Sequence, residues 1–352
     1  MNIKPDMLIL ARESRGLTQK ELSYKLDIGQ GTLSKIEQGL QGVSDEILTK
    51  LSIVLEYPEN FFANNYNIYS PNMVYFRKRV TLPKKILSKS EARMNIIRIA
   101  VEILLNNVEL PEYEMVEWKV GENGTPAEAA MYLRNRWKLP KGRVESIVEL
   151  LESRGIIIIL LDFESKKIDG MSMMTENGHP IIYINSRMPS DRQRLSIAHE
   201  LGHLIMHFSD MPSIERDIEN EAFSFAGEFL IPEVEYTQRY EYLNMPILAN
   251  QKRYWKVSMS SLIYRAKELK LVSENQARYL WAQLGALGYK TAEPPELDID
   301  FEEPTLTKQI VNTYIEDLGY NAQELLSITH LFKRDFDQFL LPNRSNKLRL
   351  LT

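Results

Sequence analysis

The sequence predicts an α+β protein that is predominantly helical, with a small sheet set among many helices. Three observations predict it. Apolar residues recur at helical spacing along most of the chain, only two short runs read as strands, and Gly or Pro punctuates the helical stretches at cap positions. A length of 352 residues allows two or three domains, each with a core of its own. The hydrophobic share of 44% and charged share of 26% are ordinary for a globular protein. Net charge is −5, so any contact with nucleic acid must come from a local surface. The absence of cysteine excludes disulfides, thiolate metal sites and cysteine nucleophiles. Ile156 to Leu161, the longest strongly apolar run, is too short to span a bilayer, and the N-terminus shows no apolar stretch of signal-peptide type. The expectation is a cytoplasmic protein with no membrane partner.

Taken in order, residues 1–66 read as a compact helical unit with apolar positions at Leu17, Leu22, Leu26, Ile28, Leu33 and Ile36. Thr18 followed by Glu21 is a capping box, so a helix starts there. Gly29 supplies a turn, the next helix runs to about Glu37, and Gly39 sits at its cap. Residues 67–120 form a basic linker and helix. Eight basic side chains fall between 77 and 98 (Arg77, Lys78, Arg79, Lys84, Lys85, Lys89, Arg93 and Arg98) against one acid, Glu91. From Ser90 to Asn106 the spacing is helical. Residues 121–245 form the central domain. Thr125-Pro126 opens a helix as cap and first residue, another helix runs from Val144 to Ser153, and Gly155 ends it. Ile156 to Leu161 and Pro180 to Asn185 are the two strands, followed by helices at about 190–208 and 215–230, the second stopped by Pro232. Residues 246–352 are mainly helical, with a less regular tail after Pro294-Pro295 and an acidic stretch near Asp298 to Glu303.

The sharpest chemical signal is His199-Glu200-Leu201-Gly202-His203. His-Glu-x-x-His on a helix stacks two imidazoles one turn apart on one face, where both can bind a single Zn²⁺. Glu200 lies beside that face, placed to take a proton from water and pass it to a leaving amine. A metzincin would need Gly and His at the positions held by Met206 and Ser209, so that class is excluded. His207 continues the stripe but lies about 12 Å along the axis from His199, too far to share one ion. The third ligand is expected to be a carboxylate on the next helix. Glu221 is favoured because Phe225 and Phe229 would anchor its helix to the core, and Glu219 is the fallback. The alternative is a pair of core-edge histidines bonded to carboxylates, with no metal.

His199-Glu200-Leu201-Gly202-His203, then Glu219-x-Glu221-Ala222-x-x-Phe225-Ala226, then Leu230-Ile231-Pro232 resembles the ImmA/IrrE metallopeptidases. Pro126-Ala127-Glu128-Ala129-Ala130, the Leu151-Glu152-x-x-Gly155 strand entry and Pro180 to Asn185 follow in the same order, so the resemblance covers about residues 120–245. Phe223 stands where the family usually has Asn. The resemblance implies a gluzincin-like peptidase domain with a small sheet, His199, His203 and Glu221 as zinc ligands and Glu200 as base. It also implies cleavage of a repressor protein.

Leu10 to Leu22, followed by Leu33-Ser34-Lys35-Ile36-Glu37-Gln38-Gly39, resembles the Cro/repressor-type (XRE) helix-turn-helix family over about residues 5–62. In that arrangement the helix from Thr18 crosses the DNA backbone, where Gln19 can meet phosphate. The helix from Gln30 enters the major groove of double-stranded DNA and presents Gln30, Thr32, Ser34 and Lys35. Against this, residues 1–66 hold seven basic and nine acidic groups, a poor balance for non-specific attraction. The basic run 77–98 could compensate by touching phosphates. A small bundle used for protein contacts is the plainer alternative.

Together these signals predict an N-terminal helix-turn-helix bundle, a zinc-dependent endopeptidase domain and a C-terminal helical region. The expected function is transcriptional regulation by cleavage of a repressor-type protein, or of the chain itself, with a homodimer among the open possibilities. The competing class is a non-enzymatic XRE-type transcription factor or antitoxin-like repressor that uses the peptidase-like domain as a sensor.

Overall fold

The computed structural model describes residues 3–69, 83–208, 216–239 and 242–341. The architecture is α+β and predominantly helical. Four helices build the head: α1 (Pro5–Ser14), α2 (Gln19–Leu26), α3 (Gln30–Glu37) and α4 (Asp45–Leu55). The predicted capping box is present, with the Thr18 hydroxyl accepting from the Glu21 N–H and the Glu21 carboxylate accepting from the Thr18 N–H. A long α5 (Lys84–Leu105) follows, starting earlier than its apolar face alone predicts.

Next come α6 (Pro126–Arg136), opened by a Thr125–Glu128 capping box, and α7 (Ile147–Glu152). The strands are β1 (Ile157–Leu161), β2 (Gly170–Met174) and β3 (Pro180–Asn185), in the order β1-β3-β2. β1 runs parallel to β3, pairing Ile159 with Tyr183, and β2 runs antiparallel to it, pairing Ser172 with Ile182. β2 is absent from the sequence prediction.

The sheet is a partition between two cores. Ile157, Ile159, Met171, Met173, Ile181 and Tyr183 pack with the head, α5 and the last helices of the chain, and Tyr183 gives its hydroxyl to the Met94 carbonyl. Ile158, Ile182 and Ile184 pack on the other side, against α6 and the helices that follow the sheet. Burial on both faces explains why β1 and β3 read as continuous apolar runs.

After the sheet come α8 (Ser190–Met206) and α9 (Ile218–Leu230), then α10 (Glu233–Gln238), α11 (Met245–Trp255), α12 (Met259–Glu268) and α13 (Glu274–Ala286). The last described helices are α14 (Leu306–Glu316), α15 (Ala322–Thr329) and α16 (Lys333–Leu340). The acidic stretch near 298–303 is not a loose tail. Glu302 accepts the N–H groups of Ile147 and Val148 at 2.7 and 3.1 Å, and Glu152 accepts those of Thr305 and Leu306. Each carboxylate therefore satisfies the open amides at a helix N-terminus. The head is fixed as well: Asp335 on α16 takes both terminal nitrogens of Arg15, and Arg334 pairs with Glu56 at 2.8 Å.

No helix among the described residues is long and apolar enough to cross a membrane. His330 is half-buried at the C-cap of α15 with φ +54°, and Leu331 after it continues into the core.

Candidate metal centre

The centre is built by α8 and α9, which pack along each other. Gly202 sets how closely they approach: a Cβ there would lie 3.0 Å from Cδ1 of Phe225. Glycine in the His199-Glu200-Leu201-Gly202-His203 stretch is therefore a packing requirement imposed by α9. His199 and His203, one turn apart, are both nearly buried. Their Nε2 atoms face each other at 3.0 Å.

Glu219 completes the set, with its carboxylate oxygens 3.6 Å from His199 Nε2 and 3.4 Å from His203 Nε2. One ligating atom from each of the three residues lies within 4.8 Å of the others. Two imidazole nitrogens and a carboxylate oxygen converging from two rigid helices are a donor set that suits a zinc ion with one open position. Burial lowers the His203 pKa to about 3, which keeps its ring neutral and its lone pair available. Burial pushes the Glu219 carboxyl up, but the two facing imidazoles outweigh it and hold the group well below the usual range. Phe223 packs its ring on His199, centroids 4.3 Å apart.

Glu221, the favoured third ligand from sequence, lies elsewhere. Its Oε2 is 2.8 Å from His207 Nε2 and 2.6 Å from Arg216, behind His203 rather than in front of it. The physical reason is helix phase. Residues two apart on a helix point about 200° from one another, so only one of Glu219 and Glu221 can share the Phe223 face that meets His199.

Glu200 is buried beside the pair, and burial pushes its carboxyl up to about 7, against the pull of His199 and a hydrogen bond from Ser172 on β2. Gly170 on the same strand lets the backbone pass close, since a Cβ there would sit 3.2 Å from Cγ of Glu200. Sequence reasoning missed β2 and hence this partner; the Met171, Ser172, Met173 alternation was the available signal.

These groups open onto a cleft of about 1590 Å³. One side is β2 with the start of α8. The other is the segment 287–299, from Leu287 and Tyr289 to Ile299. A buried Lys252 on α11 holds that far wall by bridging Asp191 on α8 and Glu293, 2.6 Å away, and Glu293 also accepts the Met259 N–H at 2.8 Å. Tyr183 faces the opposite core, and His179 Nδ1 is 3.0 Å from the Gly155 carbonyl.

In the head, Gln30 and Lys35 are exposed on α3, with Thr32 and Ser34 half-buried beside them. Gln19 donates from Nε2 to Glu37 at 2.7 Å, and Ser34 Oγ is 3.4 Å from Gln38 Nε2. In the described part of the basic run 77–98, four of the five basic side chains have partners within the chain and Lys84 is exposed. Arg93 is buried against the Asp162 carbonyl, Arg98 is buried against Glu102 and over the Tyr69 ring, and Lys85 and Lys89 pair with Glu21 and Glu164. The two arginines turn inward because their neighbours offer carboxylates and carbonyls, whereas Lys85 stays at the surface. Arg77, Lys78 and Arg79 lie outside the described residues.

Fold and site define a helix-turn-helix head joined to a domain of the metallopeptidase type. Residues 8–62 match the helix-turn-helix family, and residues 151–267 match peptidase family M78, the IrrE N-terminal-like domain. The chain thus carries an XRE-type helix-turn-helix and an ImmA/IrrE-type peptidase-like domain, which support DNA binding and a metal-dependent peptidase-like site. No curated protein matches it. The second match takes in α8, α9 and α12 but stops before the 287–299 wall.

Proposed function

We propose that this chain is a DNA-binding transcriptional regulator whose zinc-dependent endopeptidase domain cleaves a repressor-type protein, or the chain itself, to switch gene expression in the cytoplasm. The observation that carries it is the convergence of His199, His203 and Glu219 beside a buried Glu200 in a wide cleft. His199, His203 and Glu219 would hold the zinc ion, which when bound supplies Lewis acidity toward a peptide carbonyl and a water.

Glu200 then acts as the base. It accepts a proton from the attacking water and returns it to the leaving amine nitrogen. Its burial favours this role, because a carboxyl held near neutrality exchanges protons readily. β2 pairs only with β3 among the described strands, and its outer edge borders the cleft. An extended peptide can add to such an edge through main-chain hydrogen bonds, which supports a protein substrate.

On this reading Gln30, Thr32, Ser34 and Lys35 meet the DNA bases or backbone, and Gln19, hydrogen-bonded to Glu37, meets phosphate. The segments 1–66, 67–120, 121–245 and 246–352 divide the labour, while their cores merge. The test is metal analysis of the purified chain with a comparison of wild type and Glu200→Gln in cells. Stoichiometric zinc in both proteins is expected, with a cleaved partner or cleaved chain in wild type alone. Loss of the base should slow cleavage by about 10²–10⁴-fold. A zinc-free wild type, or a Glu200→Gln form that switches its target genes normally, would end the enzymatic reading.

A further inference from the structure

Behind the metal centre a row of polar side chains leads away from His203. His203 Nδ1 is 2.9 Å from His207 Nδ1, and His207 Nε2 is 2.8 Å from Glu221 Oε2. Arg216 donates to both oxygens of Glu221, at 3.1 and 2.6 Å. His207 is 1% exposed, so water cannot replace a mismatched partner there. We infer that His207 and Glu221 are positioning residues that fix the tautomer of His203 and so aim its Nε2 lone pair at the metal site.

The argument is a count of donors and acceptors. An ionised carboxylate only accepts, and Arg216 keeps Glu221 ionised. His207 Nε2 must therefore carry the hydrogen, and in the neutral ring that leaves His207 Nδ1 as an acceptor. A neutral His203 then satisfies that acceptor by donating from Nδ1. Its remaining nitrogen, Nε2, then carries its lone pair toward the place where Glu219, 3.4 Å away, and His199 Nε2, 3.0 Å away, converge.

The other tautomer of His203 would set two lone pairs against each other at 2.9 Å in a buried place, a costly arrangement. The usual outer-shell device for a ligating histidine is one carboxylate or carbonyl on its far nitrogen. Here a second imidazole carries the same instruction from a carboxylate one ring further away. His199 has no such support, since its Nδ1 is buried without a hydrogen-bond partner among the described residues. The device therefore acts on His203 alone.

This inference rests on the zinc reading, and the experiment separates the two. Full-length wild type, His207→Phe, His207→Asn and Glu221→Gln are titrated with zinc in competition with a chromophoric chelator, and the cobalt-substituted absorption spectrum of each is recorded. Phenylalanine keeps the ring and removes the acceptor; asparagine returns an acceptor oxygen near the Nδ1 position. Zinc affinity should fall about 10–100-fold in His207→Phe. It should be largely restored in His207→Asn, with the wild-type cobalt spectrum. Glu221→Gln, at a site of partial exposure, should give a smaller loss and keeps the test decisive if His207→Phe does not fold.

Tight zinc binding by wild type with unchanged affinity in His207→Phe and Glu221→Gln would overturn the positioning role and leave the metal centre standing. Equal losses in His207→Phe and His207→Asn would also overturn it, because packing and not the hydrogen bond would then be responsible. A wild type that binds no zinc would overturn the metal centre itself.

Discussion

Two buried polar networks in this chain have similar burial and opposite character. In the head, Arg12 gives Nε and Nη2 to Glu37 at 2.6 and 3.2 Å and Nη1 to the Leu17 carbonyl, and Glu37 also receives Gln19. Every charge has an opposite partner. At the metal centre the same degree of burial leaves Nε2 of His199 facing Nε2 of His203, a carboxylate aimed at both, and Glu200 held near neutrality. Buried groups that satisfy one another hold a fold together, whereas buried groups that converge without a mutual solution mark the place where something else binds.

The largest effect expected from breaking this contrast lies in the head. Glu37→Ala leaves the buried Arg12 guanidinium with the Leu17 carbonyl and the more distant Glu13 carboxylate, 3.6 Å away, and should cost about 3 kcal/mol of stability, the low end for removing one partner of a buried pair. Replacing Arg12 and Glu37 together with apolar residues of similar size should cost far less. Chemical denaturation of the full chain reads both. If the single change were as mild as the double, the network would contribute nothing to the fold.

The second prediction asks whether packing sets the donor geometry. Gly202→Ala places a methyl 3.0 Å from Phe225 and should push α9 away from α8. Overpacking costs about 1–3 kcal/mol, offset by about 1 kcal/mol of added helix propensity. The net stability change should be small, yet zinc affinity should drop because Glu219 travels with α9. A variant that binds zinc like wild type would show that α9 adapts without moving its carboxylate.

Sequence alone made the helices and the two apolar strands readable, because capping boxes at Thr18 and Thr125 and continuous Ile runs are local signals. The strand Gly170-Met171-Ser172-Met173-Met174 was only faintly signalled by its alternation, as it lacks β-branched residues and gains a pairing partner only when β3 lies beside it. The choice between Glu219 and Glu221 needed the phase of α9 against α8, which the sequence signals through a single residue. Phe223 held the clue: it is four residues from Glu219 and so shares its face. The 287–299 wall depends on Lys252 joining residues 61 positions before it (Asp191) and 41 after it (Glu293), a contact beyond any periodicity. His207 read correctly as too distant to join His199 on one ion, but its place behind His203 emerges only once α9 brings Glu221 to it.

The smallest expected effect concerns a network at the surface of the head. Glu21 lies at the surface, yet its carboxyl is lowered from 4.5 to about 2, first by the Thr18 backbone N–H, then by the Thr18 hydroxyl and Lys85. Because its folded value lies below the ordinary one, the stability it lends to α2 is full above about pH 4.5 and is lost as the pH falls toward 2. Solvent and salt screen such a contribution, so the change should be slight. It should nonetheless be specific. Glu21→Gln keeps an acceptor for the Thr18 N–H but cannot titrate, so its loss of helix signal between pH 4.5 and 2 should be shallower than that of wild type. Identical acid profiles for the two proteins would mean that the capping carboxylate adds nothing that a neutral acceptor does not. The division between satisfied and converging networks would then rest on the buried groups alone.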